Sequence, residues 1–205
     1  MTKRRKTQRT ALIVSSGAAV LLALTVAYLA FLGGTVPGNV PVIGGAFRLV
    51  AADGNIVTDR DLRGRYLLIY FGYTSCPDVC PTTLNAVANA MTDLGKLAER
   101  IRPVFITVDP SHDTPQIVGD YVRKFSPDII GLSGSAAEIG TVEKEYRVHV
   151  TRNGDAINHS AVLYLIGPDG RYVAPLRASE TGAELAAKLS KYLTGSASLS
   201  NSTAG

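Results

Sequence analysis

A chain of 205 residues with 21 basic against 17 acidic side chains carries a net charge of +4. Five of those cations (Lys3, Arg4, Arg5, Lys6 and Arg9) crowd the first ten residues, so the remaining 16 (21 less 5) face 17 acidic residues. No basic stripe interleaved with aromatics is left, which sets nucleic acid aside as a partner. The length allows one substantial domain with accessory segments.

In chain order, residues 1–10 form a basic tail, and residues 11–32 run 22 positions without a charge. A bilayer core needs about 20 such residues, against about 7–15 for a secretory h-region. The pattern predicts a single transmembrane anchor over 11–32, with signal cleavage near 27–30 as the alternative. The basic flank stays in the cytoplasm, so the bulk of the chain lies in the periplasm or outside the cell, held at the inner (plasma) membrane. Residues 33–45, with Pro37, Pro41 and five glycines, read as a linker.

From 46 to 194 the pattern is that of one domain. A short hairpin over 47–57 turns at Asp53-Gly54. Residues 66–73 are nearly all apolar, as in a strand covered on both faces. A helix follows over 82–100, with Leu84, Val87, Met91 and Leu94 on one stripe. A strand over 103–108 precedes a helix over 115–125 opened by Thr114-Pro115. After a short apolar segment at 129–132, Ser135 and Glu138 form a capping box for a helix to 146. A short strand at 148–151, a hairpin of 160–167 with 172–175, and a helix over 181–193 complete the domain. Residues 195–205 are small and polar and read as a disordered tail. Strands alternating with helices indicate an α/β sandwich, and a thiol pair between an early strand and a helix is the thioredoxin-like arrangement.

That pair, Cys76 and Cys80, contains the only cysteines. A disulfide closing so short a loop removes little chain entropy, so a purely stabilising role is a poor reason for the spacing. A helix N-terminus favours thiolate, which serves equally as nucleophile and as metal ligand. Residues four apart on a helical turn sit one above the other, so the sulfurs could bridge or chelate. A metal would want a third ligand. Met91 belongs to the apolar stripe, His149 alternates with valines on a polar strand face, and His112 sits in a solvated loop. His159 stands at the entry to the apolar run Ala161 to Ile166, at the edge that faces the cysteines in a thioredoxin-like fold and where thioredoxins place a cis-proline. Two thiolates and one imidazole form a soft set that suits copper, whereas structural zinc would want a fourth ligand.

Three stretches resemble the Sco/SenC family. They are Phe71-Gly72-Tyr73-Thr74-Ser75-Cys76-Pro77-Asp78-Val79-Cys80-Pro81, then Thr107-Val108-Asp109-Pro110 with Asp113-Thr114-Pro115, and His159-Ser160 with Tyr164 to Gly170. The resemblance runs from about 45 to 193. It implies a membrane-anchored copper chaperone, not an enzyme, that delivers copper to the binuclear site of cytochrome c oxidase subunit II. It assigns Cys76, Cys80 and His159 as ligands of one copper ion per monomer, and matches Asp109 to a recurrent acidic position. An upstream periplasmic copper donor or thiol reductant is a further implied partner. Two other readings stay open. One is a thiol-disulfide oxidoreductase that keeps the subunit II cysteines reduced, with Cys76 attacking and Cys80 resolving. The other is a redox or copper sensor. A thiol peroxidase would need an activating arginine, and none is placed for that role.

Overall fold

In the computed structural model the described residues are 43–153 and 156–200, with Leu24, Thr25 and Tyr28. The chain divides into two units, Met1–Pro41 and Val42–Gly205. Of the first unit, the three described residues are helical. The anchor expected over 11–32 otherwise lies outside the described residues, as do the basic tail and most of the linker. Among the described residues no helix is long and apolar enough to cross a membrane.

The second unit is built on a seven-stranded sheet. Its strands are β1 (Arg48–Ala51), β2 (Ile56–Thr58), β3 (Tyr66–Gly72), β4 (Ile101–Thr107), β5 (Ile130–Ser133), β8 (Val162–Ile166) and β9 (Tyr172–Arg177), in the order β2-β1-β5-β4-β3-β8-β9. β3, β4 and β5 are parallel, and the outer strands are antiparallel to their neighbours. Among the described residues, β6 (Val150–Asn153) and β7 (Ala156–His159) pair only with each other, as a separate antiparallel ribbon.

Why β3 is the spine follows from its sequence. All seven residues are buried, and successive side chains point to opposite faces. Tyr66, Leu68 and Tyr70 enter one core with helices α1 (Val79–Leu94), α2 (Pro115–Arg123) and α4 (Gly182–Ser200). Leu67, Ile69 and Phe71 enter the other, against Ile139 and Val142 of α3 (Ala136–Glu145). At about 25 cal/mol per Å² of apolar surface, this double burial is the main force fixing the strand. Pro103 sits in central β4 without breaking the sheet, because pairing to β5 begins only at Val104.

Helix boundaries moved where local chemistry overrode apolar spacing. α1 begins at Val79, three residues earlier than expected, because Pro81 falls in the first turn, whose N–H groups have no intrahelical acceptor. It ends at Gly95, with φ 54°, and a 3₁₀ turn carries the chain through Gly95–Arg100. α2 starts as expected, with Thr114 Oγ1 accepting from Ile117 N at 3.3 Å. The Ser135–Glu138 capping box forms with both reciprocal bonds. A second box, Thr181 with Glu184, opens α4. α4 then continues to Ser200, so the tail expected to be disordered from 195 begins helical; no proline follows Leu193 to stop it. Residues 201–205 lie outside the described residues.

Candidate metal centre

The parallel strands β3 and β4 end on the same side of the sheet, and the loops leaving them build the site. β3 stops at Gly72, the chain turns through Tyr73 to Asp78, and α1 begins at Val79. Cys80 therefore lies in the first turn of α1, fully buried, while Cys76 lies in the loop, half-buried. The pair straddles the helix start and does not stack on one helical turn. Cys76 Sγ instead accepts from the backbone N–H of Cys80 at 3.4 Å, one of the orphan donors at the helix start. Asp78, at the N-cap, makes no capping bond with its own side chain, so this sulfur meets part of that need. Both thiols are free.

Gly72 is glycine for a local reason. A Cβ there would meet Cys80 Sγ at 2.9 Å and the Phe105 ring at 2.8 Å. The sulfur packs directly over backbone, and the hydroxyl of Tyr70, two residues back on the same face of β3, donates to it at 3.7 Å.

His159 reaches the site from β7. Its Nε2 is 3.7 Å from Cys80 Sγ, and its Nδ1 faces the Ser160 carbonyl at 3.2 Å. The carbonyl can only accept, so Nδ1 carries the proton and Nε2 presents its lone pair toward the sulfur. Edge contacts with the rings of Tyr70 and Tyr73 hold the imidazole from both sides. A sulfur and a nitrogen bonded to one ion at about 2.3 and 2.0 Å lie about 3.5–3.7 Å apart at tetrahedral to trigonal angles, so this pair already has the separation of two ligands of one metal. Cys76 is linked to the pair through the Cys80 N–H. Among the described residues no three His, Cys, Asp or Glu side chains already form a closed metal-holding group.

The two thiols differ sharply. Burial pushes Cys80 up to about 12, which keeps it a thiol at neutral pH. Burial also opposes ionisation of Cys76, yet the Cys80 N–H and thiol, the Asp78 N–H and the Tyr73 hydroxyl together hold Cys76 below the ordinary thiol value. Burial lowers His159, partly offset by the Ser160 carbonyl, so the imidazole is neutral and able to ligate.

One residue that holds the site figures in the sequence only within the family-like stretch Asp113-Thr114-Pro115, with no role of its own. Asp113 is 1% exposed and accepts from Thr74 N (3.0 Å), Thr74 Oγ1 (2.5 Å) and Thr107 Oγ1 (2.6 Å). It ties the cysteine loop to the end of β4 and the entry of α2. The available signal was an acidic residue beside Thr114-Pro115, but its burial is set by tertiary contacts. The other candidates take no place in the Cys80–His159 pair. Asp109 pairs with His112 at 2.9 Å and Ser111 at 2.6 Å, on the loop after β4. Burial opposes its ionisation, and those two partners outweigh it and hold the carboxyl low. His149 and Asp78 are exposed, and Met91 packs on the core.

Comparison with known proteins agrees with this architecture. The family model described as SCO1/SenC matches residues 37–194. Protein sco1 of Schizosaccharomyces pombe is 37% identical over 161 residues, covering 74% of this chain and 61% of that protein. The chain thus spans about three fifths of that relative's length. Bradyrhizobium japonicum ScoI, solved with copper bound, is 44% identical with a TM-score of 0.67, over 73% of this chain and 99% of that one. Arabidopsis thaliana ScoI, also solved with copper bound, is 38% identical with a TM-score of 0.71, over 75% and 99%. The match covers both cysteine and histidine segments and far exceeds a likeness of fold: this chain belongs to the SCO1/SenC family.

Proposed function

We propose that this protein is a copper carrier for cytochrome c oxidase assembly, held at the inner membrane by residues 11–32, and that it delivers one copper ion per monomer to the binuclear site of subunit II. The observation that carries the reading is the Cys80 Sγ to His159 Nε2 pair at 3.7 Å, with the lone pair of Nε2 facing the sulfur. Two copper-bound relatives above 35% identity support it. Cys76 completes the set. It lies outside the helix, and rotation about its χ1 re-aims the sulfur from the Cys80 N–H toward the ion. Copper is the cargo, and the donor set is soft and low in coordination number, which suits Cu(I) and leaves room for an incoming ligand. Oxidation of Cys76 and Cys80 to a disulfide removes two of the three donors, so thiol redox state gates loading. The domain faces the periplasm in this reading.

The asymmetry of the thiols favours a second reading, thiol-disulfide exchange on the subunit II cysteines. An accessible thiolate at Cys76 attacks, and buried Cys80 resolves. Anaerobic titration of the reduced full chain in detergent separates the two. One tightly bound copper per chain, released when the thiols are oxidised, is the expected result. No specific copper, together with a disulfide that turns over readily on a peptide substrate, would replace the carrier with the reductant.

A further inference from the structure

Among the described residues, the ribbon that delivers His159 has an edge with no strand paired to it. The Ser160 N–H donates to His149 O at 3.1 Å, which sets the alternation along the β6–β7 ladder. Residues 158 and 160 turn their backbone groups toward β6, and Ile157 and His159 turn theirs away. Among the described residues, no backbone hydrogen bond from Ile157 or His159 reaches another partner. The outer strands of the main sheet are guarded: β9 contains Pro175 and ends on Arg177, and β2 has three residues. β7 has neither proline nor charge, and an unguarded edge is a template for another strand. Beside it runs a groove of about 220 Å³ whose lining mixes the apolar Tyr73, Pro77, Val79 and Ile157 with the polar Asp78 and Asn158, next to Cys76 and His159. Val79 is 45% exposed there.

From this placement we infer that β7 is the docking edge for the protein that exchanges copper with the site, and that the docked element is an extended segment bearing a cysteine. The inference rests on the copper-carrier reading. Outward N–H and C=O groups two residues apart, about 6.6 Å along a strand, are matched by an extended backbone and not by a helix. The groove, apolar at Tyr73, Pro77, Val79 and Ile157, receives alternate side chains of such a segment. His159 is at once a copper ligand and an edge residue, so pairing there brings an incoming thiol within bonding reach of the ion. Transfer is then ligand exchange without redox change: an incoming thiolate bonds to copper, one bond to a thiolate or imidazole of this chain breaks, and the thiol's proton passes to the released donor.

The test uses the copper-loaded full chain in detergent and, as probe, a synthetic eight-residue peptide of alternating Thr and Val with one central Cys. Amide exchange at Ile157 and His159 should slow on adding peptide while Asn158 stays unchanged. Ile157→Pro removes an outward N–H and no ladder bond, so copper affinity holds while the rate of copper loss to the peptide falls about tenfold. Ile157→Ala, which keeps the N–H, should transfer within about twofold of the parent. Copper loss to the peptide with no protection at the two amides, or at full rate in Ile157→Pro, overturns the inference. Protection that appears without peptide and grows with protein concentration makes a second copy of the chain the occupant, and overturns it as well. Failure of the unmodified protein to hold copper at all refutes the carrier reading instead, so the two failures are distinct.

Discussion

The corner that holds the thiols and the ribbon that holds the imidazole are built on opposite principles. Cys80 sits where β3, buried on both faces, feeds α1. Gly72 admits its sulfur, Tyr70 donates to it, and Asp113 fixes the preceding loop. His159 sits at the end of a ribbon whose two strands, among the described residues, pair only with each other. Its ring is held by two aromatic edges and one carbonyl. The thiol corner is thus set by the same packing that makes the fold, whereas the imidazole is carried in by an accessory element. A carrier has to bind an ion and release it. One fixed sulfur with separately mounted partners divides those tasks between the two regions.

The comparison predicts unequal costs when the ligands are removed. Cys80→Ala should lower Cu(I) affinity at least about a thousandfold, about 4 kcal/mol. His159→Ala should cost roughly a hundredfold, about 2.7 kcal/mol, because both thiolates remain. Competition against a Cu(I) chelator measures both. The reverse order would show that the ribbon, not the core corner, anchors the ion. Next in size is the brace under the corner. Asp113→Ala leaves the Thr107 hydroxyl and Thr74 N–H without their carboxylate, and should cost about 2–4 kcal/mol in urea unfolding. His112→Ala removes the 79% exposed partner of the buried Asp109, which keeps the Ser111 hydroxyl, and should cost less, about 1 kcal/mol. Equal losses in the two variants would mean that the buried network does not hold the loop.

What could be read from sequence divides along the same line. The apolar run of β3, the thiols after it and the Ser135–Glu138 box are local signals, and each has its counterpart in the structure. His159 was found because it borders the apolar strand β8. The strand it belongs to was not, because Ala156-Ile157-Asn158-His159 has too few apolar positions to show a period of two. The α1 start was masked by Pro81, which reads as a boundary when taken alone but is tolerated in a first turn. Asp113 stands in a family-like stretch, but nothing in its sequence neighbourhood marks it as buried. Its burial comes from the meeting of the Thr74 and Thr107 loops, which are 33 residues apart, and spacing along the chain carries no sign of that.

The smallest predicted effect separates the two cysteines within the corner itself. In the metal-free protein Cys76 is held below the ordinary thiol value, whereas Cys80 is pushed up to about 12. The signs follow directly. As pH rises, Cys76 becomes thiolate first, before a free thiol with its pKa near 8.5, and Cys80 stays protonated through the working range. Alkylation by iodoacetamide, followed residue by residue by peptide mass, should therefore label Cys76 with a midpoint below that of a free-cysteine peptide measured alongside, and leave Cys80 unlabelled until the fold opens. Tyr73→Phe removes one of the donors to Cys76 and should move its midpoint upward while Cys80 stays silent. In the proposed carrier both sulfurs bind copper as thiolates, so loading at neutral pH must expel the Cys80 proton and should release at least one proton per ion, seen as acidification of weakly buffered solution. Equal labelling of both cysteines would contradict the asymmetry, and it would remove the reason for treating Cys80 as the fixed ligand and Cys76 as the one that moves.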